Sequence, residues 1–374
     1  MTVDRVIMIA SHPGSVARLA QPIARAGMAV EAWSPYGSRL GYSRYVRRHR
    51  DLCADPAQRR EQLSSIAREV GPGDWVILGT DDDIYEASDL AQDDPDVTSL
   101  LPGKHHRSAL GGKAEMAGTL DHLGIQQPRW TAAHSRADVR AAAAMVGGWA
   151  MVKTVRGAGG RGVWRVDAAV EPREISGAGP YLVQEWIEGV TTSIDIVVVN
   201  GRVALAPYSE MVEVSRSYGV SLVRRYTAMA DERLSADLDR LAAGLGGTWL
   251  ANLTAMRQPD GTHVLVEVDM RPNAWHSYLD RLGFPMPRVL EAIRGGGEVP
   301  HQAPSLTPQV RVVNVNRVLK AAIAGSPRQA RHLLAPNASW RYANRGDAGL
   351  TYREARDLAR WLVLTRAGRR RPPA

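Results

Sequence analysis

One cysteine (Cys53), one phenylalanine (Phe284) and four lysines (Lys104, Lys113, Lys153 and Lys320) are all that these three residue types contribute to a chain of 374 residues. A single cysteine excludes an intrachain disulfide and a cage of thiolates around a metal, and fits a reducing, cytoplasmic compartment. No run of 18 apolar residues occurs, so no membrane span is expected. The apolar stretch Val6-Ile7-Met8-Ile9 is too short for a signal peptide, and Asp4 and Arg5 precede it too closely. Internal repeats and low-complexity segments are missing as well. With 44% hydrophobic and 23% charged residues, the chain has the apolar content for a large core in two or three packed units, which excludes simple disorder.

Negative charge is the sign in deficit, and the formal balance of +8 attracts anions of any size, not polynucleotides in particular. With four lysines among 47 basic residues, 43 are arginine. That skew, with ten tryptophans beside one phenylalanine, reads as coding bias more than as a binding surface. The basic residues are scattered and no nucleic-acid reading module is evident, so no nucleic-acid partner is expected. Each lysine becomes informative.

Residues 6–10 read as a buried strand, 15–26 as a helix with Val16, Leu19, Ala20 and Ile23 on one face, and 28–33 as a second strand. A helix over 56–70, a strand over 75–79 and an acidic turn, Thr80-Asp81-Asp82-Asp83, continue the alternation. The first hundred residues therefore predict an open, doubly wound parallel sheet with its ligand face at the strand ends, near Ser11, His12 and Asp81. A short helix follows over 113–123. The pattern then turns antiparallel: strands over 149–155 and 163–166 flank a glycine-rich loop, strands over 181–187 and 193–199 follow, and Asn200-Gly201 marks a tight hairpin. A second hairpin pairs 249–256 with 263–270 around Asp260-Gly261. Beyond residue 300 a strand over 310–319 and a helix from Thr351, with a capping-box spacing to Glu354, are expected. The basic run 369–371 reads as a solvated tail.

Four glycines in six positions, Gly157, Gly159, Gly160 and Gly162, let backbone amides approach an anion. A strand, not a helix, follows them, so the loop reads as a hairpin lid over phosphates rather than a dinucleotide or P-loop motif. Lys153 lies four residues before Gly157 on the preceding strand, within reach of a phosphate beneath the loop. The strand edge at Gln184 offers backbone groups and an amide to a purine edge. In His263-Val264-Leu265-Val266-Glu267-Val268-Asp269-Met270-Arg271, strand alternation puts Glu267, Asp269 and Arg271 on one face. Two carboxylates so placed repel unless a cation lies between them, and hard oxygen ligands suit magnesium. A two-residue turn at Asp260-Gly261 sets Asn252 opposite Asp269 and Thr254 opposite Glu267, so Asn252 can supply a third oxygen.

In this order and spacing the chain resembles the ATP-grasp superfamily, most closely the carboxylate-amine ligases related to carbamoyl-phosphate synthase and biotin carboxylase. The motifs that carry the resemblance are a lysine before LDHLGIQQPRW, then AMVKTVRGAGGRGVWRV, YLVQEWIEG and VLVEVDMRPN. It covers residues 1–300 and the rest only loosely. It implies an α/β chain: a pre-ATP-grasp unit over 1–102, an ATP-grasp domain over 103–300 with a lid over 126–184, and a C-terminal segment over 301–374 packing on or extending that domain. By position it implies ATP and Mg2+ as cofactors. Lys113 and Lys153 would contact phosphates under the 157–162 loop, while Gln184, Glu185 and Ile187 read adenine. Glu267 and Asp269 would bind magnesium, joined by Asn252, and Arg271 would steady the transferred phosphoryl group. Two departures stand out. Asp269 and Asn252 exchange the amide and acid common at their positions, and Thr191 replaces a ribose-binding glutamate, leaving Glu188 or Asp195 as substitutes.

The reaction implied is amide formation between a small carboxylate, such as an amino acid or short peptide, and an amine, through an acyl-phosphate with release of ADP and phosphate. Catalytic duty would fall on Arg271 and Lys153. Substrate would meet Arg156, Arg161, Asn273 and His276, with Arg216, Arg224 and Arg225 as further carboxylate holders; a homodimer is allowed. A competing reading is an inactive nucleotide-binding sensor or scaffold, against which the complete lysine, acid and arginine set argues.

Overall fold

The computed structural model of the chain describes residues 2–12, 14, 16–103, 107–157, 159–172, 174–176, 179–215, 218–297, 310–323, 327–334 and 346–366. Strand β1 (Arg5–Ile9) is buried along Val6, Ile7, Met8 and Ile9, as a strand covered on both faces requires. It pairs in parallel with β2 (Ala29–Ser34) on one side and β4 (Asp74–Leu78) on the other. The helix between β1 and β2 opens as a 3-10 turn, Ala17–Leu19, and continues as α1 (Ala20–Arg25). An unforeseen edge strand, β3 (Val46–Asp51), completes the order β3-β2-β1-β4. Its sequence, VRRHRD, has too few apolar residues to signal a strand; the charge suits an exposed edge. Helix α2 (Pro56–Glu69) is capped by Asp55. The acidic stretch expected as a turn is the first turn of a helix, α3 (Asp81–Asp93), whose N-cap Thr80 accepts from the Asp83 N–H. Three acids there complement the exposed amides of the helix start.

Helix α4 (Lys113–His122) leads into a small antiparallel sheet of order β5-β8-β6-β7, built from β5 (Trp130–Ala133), β6 (Trp149–Thr154), β7 (Val163–Asp167) and β8 (Tyr181–Glu185), with α5 (Val139–Met145) on one face. Ala150, Val152, Tyr181 and Val183 pack with Val139 and Ala143 in a core of their own. This sheet is therefore a semi-separate body.

The large sheet centres on β9 (Val190–Val199), which turns through Asn200 and Gly201, both at positive φ, into β10 (Arg202–Leu205) as expected. Strands β11 (Tyr208–Val214) and β12 (Ser221–Tyr226) extend it on one side. After α6 (Glu232–Leu245), β13 (Trp249–Arg257) and β14 (His263–Asp269) extend it on the other. Asn252 opposes Asp269 and Thr254 opposes Glu267, as predicted, but by a different route. The turn is wider than two residues, closed by the Gln258 N–H to the Thr262 carbonyl, and a β-bulge between Thr254 and Ala255 restores the register.

Helix α7 (Met286–Gly295) precedes β15 (Val310–Val313), which pairs with β12. The strand expected over 310–319 stops at Val313. Asn314 then accepts from the Arg317 N–H and starts α8 (Val315–Ile323). Helix α9 (Ala348–Arg366) begins before Thr351, with the Asp347 carboxylate accepting from the Leu350 N–H. Glu354 is consequently no capping residue; it pairs with Arg18 at 2.6 Å and joins α9 to the N-terminal unit. One core runs without a break from Ile9 and Leu78 through Ile84 and Met116 to Ile194 and Leu253, welding the parallel sheet to the large one. Among the described residues no helix is long and apolar enough to cross a membrane; the basic run 369–371 lies outside them.

Candidate active site

Alternation on β6 and β8 turns Lys153, Met151, Leu182 and Gln184 to one face, because Lys153 opposes Leu182 and Met151 opposes Gln184. That face looks toward the end of β14, where the Lys153 ammonium donates to the Val266 carbonyl at 3.0 Å. Val266 is the residue the bulge adds to β14, which turns its carbonyl out of the ladder. Lys113, the first residue of α4, comes from a third direction. Its Nζ lies 3.4 Å from Glu267 Oε1 and donates to the Gly157 carbonyl at 2.6 Å. This approach needs Gly112, where a Cβ would stand 2.5 Å from Val155 Cγ1 while the Lys113 N–H bonds the Val155 carbonyl. Lys153 and Lys113 thus converge on Glu267 between the two sheets.

Arg271 extends the cluster. Its Nη2 lies 2.7 Å from Asp81 Oδ2 and 3.2 Å from Asp269 Oδ2. Burial pushes the Asp269 carboxyl up, the Asp81 and Glu267 charges push it further, and Arg271 only partly offsets them, so it rises to about 7. Glu267 is partly buried, which raises its carboxyl, but Lys153 and Lys113 hold it below the usual range. Burial pushes the Lys153 ammonium down, against the pull of Glu267. For Lys113 the carboxylates outweigh burial and raise it.

A carboxyl raised to about 7 by burial, and further by two neighbouring carboxylates, marks a place short of positive charge. A divalent cation fits that deficit. Among the described residues no group of three or more histidine, cysteine or acidic side chains is gathered for a metal. The donor set therefore suits an ion that takes two carboxylates from the protein and most other ligands from phosphate oxygens, the habit of magnesium.

The glycine loop is docked on the large sheet. Gly157, Gly159, Gly160 and Gly162 all have positive φ, and Gly160 lies so close to the β11–β12 turn that an added Cβ would be 2.0 Å from the Tyr218 carbonyl oxygen. Tyr218, itself at φ 58°, meets Trp186 edge to face. Arg156 at the loop's base forms two hydrogen bonds with Asp89 of α3, at 2.7 and 2.6 Å, and lies over Tyr85.

The expected adenine strand divides its roles. Gln184 is buried on the Lys153 face. The Glu185 side chain lies on the other face, paired with Arg129 at 3.0 Å, and its N–H donates to the Arg129 carbonyl at 2.8 Å. Ile187 forms no backbone hydrogen bond among the described residues.

The residues expected to meet substrate are dispersed. Arg156 is held by Asp89, Arg161 is exposed in the loop, and Arg216 lies outside the described residues. Asn273, His276 and Arg224 are buried around Asp195, which Arg224 meets at 2.9 Å and Asn273 Nδ2 at 2.9 Å. Asp195 is thereby committed to the interior and cannot serve a ribose; Glu188 is exposed. Arg225 pairs with Glu210. At the end of β1, where the ligand face was expected near Ser11 and His12, Asp83 accepts from the Ser11 N–H at 3.1 Å.

Asp81 was expected at the ligand face, just after a strand end, though its pairing with Arg271 was not. One residue beside the site escaped sequence reading: Arg317 of α8 gave no signal, being one arginine in 43. It donates to the Ser221 carbonyl at 3.2 Å and pairs with no carboxylate among the described residues. Burial, with the Arg224 and Arg271 charges nearby, lowers it to about 10.

Together the sheets form the ATP-grasp fold behind a parallel N-terminal unit. No family model and no curated protein matches the sequence. Among solved structures, N5-carboxyaminoimidazole synthetase from Staphylococcus aureus, complexed with ADP, is 13% identical over 89% of this chain and 87% of its own, with a TM-score of 0.67. An L-amino acid ligase from Bacillus licheniformis is 18% identical over 80% and 78%, with a TM-score of 0.58. The biotin carboxylase domain of Hydrogenobacter thermophilus 2-oxoglutarate carboxylase, solved with MgADP and bicarbonate, is 16% identical over 81% and 72%, with a TM-score of 0.59.

Proposed function

We propose that this chain is an ATP-dependent, ADP-forming ligase that joins a small carboxylate to an amine through an acyl-phosphate. The observation that carries this is the meeting of Lys113, Lys153, Glu267, Asp269 and Arg271 beneath a docked glycine loop. Each is a phosphate or cation group, and no nucleophile with a paired base stands among them.

Lys113 and Lys153 would neutralise the triphosphate as charge shifts along it, and Glu267, Asp269 and Asn252 would hold Mg2+, which would supply further positive charge to the phosphates. Gln184, the Glu185 carbonyl and the Ile187 backbone would meet adenine. The substrate carboxylate oxygen attacks the γ-phosphorus as the bond to ADP breaks, and the amine then attacks the acyl carbon and expels phosphate. Arg271 would steady the phosphoryl group in both steps, while the small sheet would keep water out. Arg317, which pairs with no carboxylate among the described residues and lies near Arg224 and Arg271, supports an anionic substrate on that side.

The test is a screen of amino-acid pairs for ADP release, with products identified by mass. Turnover that needs both a carboxylate and an amine supports the reading. Tight ATP binding with no turnover across a broad panel overturns it in favour of a sensor.

A further inference from the structure

Across β9, β13 and β14, Asp195, Asn252 and Asp269 form one row, since Asn252 is the cross-strand partner of both acids. Side chains in such a row share a face and lie within reach of their neighbours. Asn252 thus stands between a carboxylate fully committed to the interior and one at the cation place. An asparagine amide is nearly symmetric in shape, and what fixes its orientation is the chemistry of its neighbours.

Here the neighbours leave one choice. The Asn252 amide nitrogen donates to Asp195 Oδ1 at 3.1 Å, lies 3.4 Å from the Ile194 carbonyl and donates to Ser193 Oγ at 2.7 Å. An ionised carboxylate and a peptide carbonyl only accept, so the NH2 end must face them. Asp195 is fully buried against the Arg224 guanidinium, and Asn273 Nδ2 donates to its Oδ1 at 2.9 Å, so its oxygens face donors. Arg224 and the Tyr226 hydroxyl bond it at 2.9 Å each. With nitrogen inward, the amide oxygen is the end left for the side of Asp269.

We propose that Asp195 is a positioning residue that sets the Asn252 amide with its oxygen toward the cation held by Glu267 and Asp269. The assignment rests on the nucleotide-site reading above. It explains why a carboxylate with a complete set of donors stands two strands from the acid pair. It also explains how an amide on β13 can serve where its two faces would otherwise be interchangeable.

The experiment measures Mn2+ binding to the complex of the full chain with ADP, by electron paramagnetic resonance of free Mn2+, and ADP binding in EDTA by calorimetry. Asp195→Asn, of nearly equal volume but able to offer either end of an amide, is expected to weaken Mn2+ about tenfold and leave ADP in EDTA unchanged. Ser193→Ala removes one acceptor without touching the Arg224 pair and is expected to weaken Mn2+ about two- to threefold. Tyr226→Phe removes a donor to Oδ2 alone and is expected to leave Mn2+ unchanged. Folded Asp195→Asn with wild-type Mn2+ affinity overturns the assignment, and so does an equal loss in Tyr226→Phe. Should Asp195→Asn fail to fold, an unchanged Ser193→Ala overturns it. Wild-type protein that binds no Mn2+ with ADP overturns the nucleotide-site reading itself, whereas normal wild-type binding with indifferent variants sinks only the role of Asp195.

Discussion

Arg271 Nη2 stands 2.7 Å from Asp81 Oδ2, joining the end of the β13–β14 hairpin to the first turn of α3 in the N-terminal unit. The same guanidinium reaches Asp269. The acid pair is therefore supported from a part of the chain almost two hundred residues away. Asp81→Asn keeps the shape but removes one of the two charges that hold Arg271. We expect kcat to fall about tenfold with little change in the KM for ATP, measured by ADP release at saturating carboxylate and amine. An unchanged kcat would show that Asp269 alone suffices.

Removing the acids themselves has a sharper outcome. Glu267→Gln leaves the buried ammonium of Lys153 and the nearby Lys113 without their shared carboxylate, and it deprives the cation of a ligand. Magnesium-dependent turnover is expected to drop at least a hundredfold, with far-ultraviolet circular dichroism unchanged. Substantial residual activity would place the cation elsewhere.

The raised Asp269 carboxyl links stability to pH. Its folded value is about 7, against about 4 in an unfolded chain. Between those values the native state binds more protons than the unfolded state, so this contribution is full below about pH 4 and is lost as pH rises through 7. Melting temperatures of the ligand-free protein should fall from pH 5 to 8, and Asp269→Asn should flatten that slope. Mg2+ with ADP should restore stability at pH 8. A slope that survives in Asp269→Asn assigns it to another group.

Gly160 tests the docked loop. Its φ of 74° disfavours any side chain, and a Cβ would be 2.0 Å from the Tyr218 carbonyl oxygen. At Gly159, also at positive φ, the nearest atom to an added Cβ is Val220 Cγ1 at 3.7 Å. Both alanine variants carry backbone strain, but only Gly160→Ala also prevents docking. The KM for ATP should rise about tenfold in Gly160→Ala and two- to threefold in Gly159→Ala. Equal effects would show that strain, not contact with Tyr218, is what matters.

Arg317→Met keeps much of the side-chain bulk and removes the charge. The KM for the carboxylate substrate is expected to rise ten- to a hundredfold while that for ATP stays within twofold, read from initial rates with each substrate varied. If both constants move together, Arg317 serves the fold of α8 against β12.

The local chemistry of this chain was written in its sequence because it depends on period and spacing. Alternation on β14 put Glu267, Asp269 and Arg271 on one face, the glycine spacing marked the loop, and the near absence of lysine made Lys113 and Lys153 conspicuous. The parallel start and antiparallel middle followed from the same patterns. The pairing of Asn252 with Asp269 was also foreseen, though a bulge rather than a tight turn produces it. Only the tertiary structure decided which arginines are spoken for. Arg156 answers to Asp89, Arg224 to Asp195 and Arg225 to Glu210, while Arg317 pairs with no carboxylate among the described residues. The charge partners of Arg156 and Arg224, on α3 and β9, are set by packing between segments distant in sequence, and no periodicity along one strand or helix carries that information.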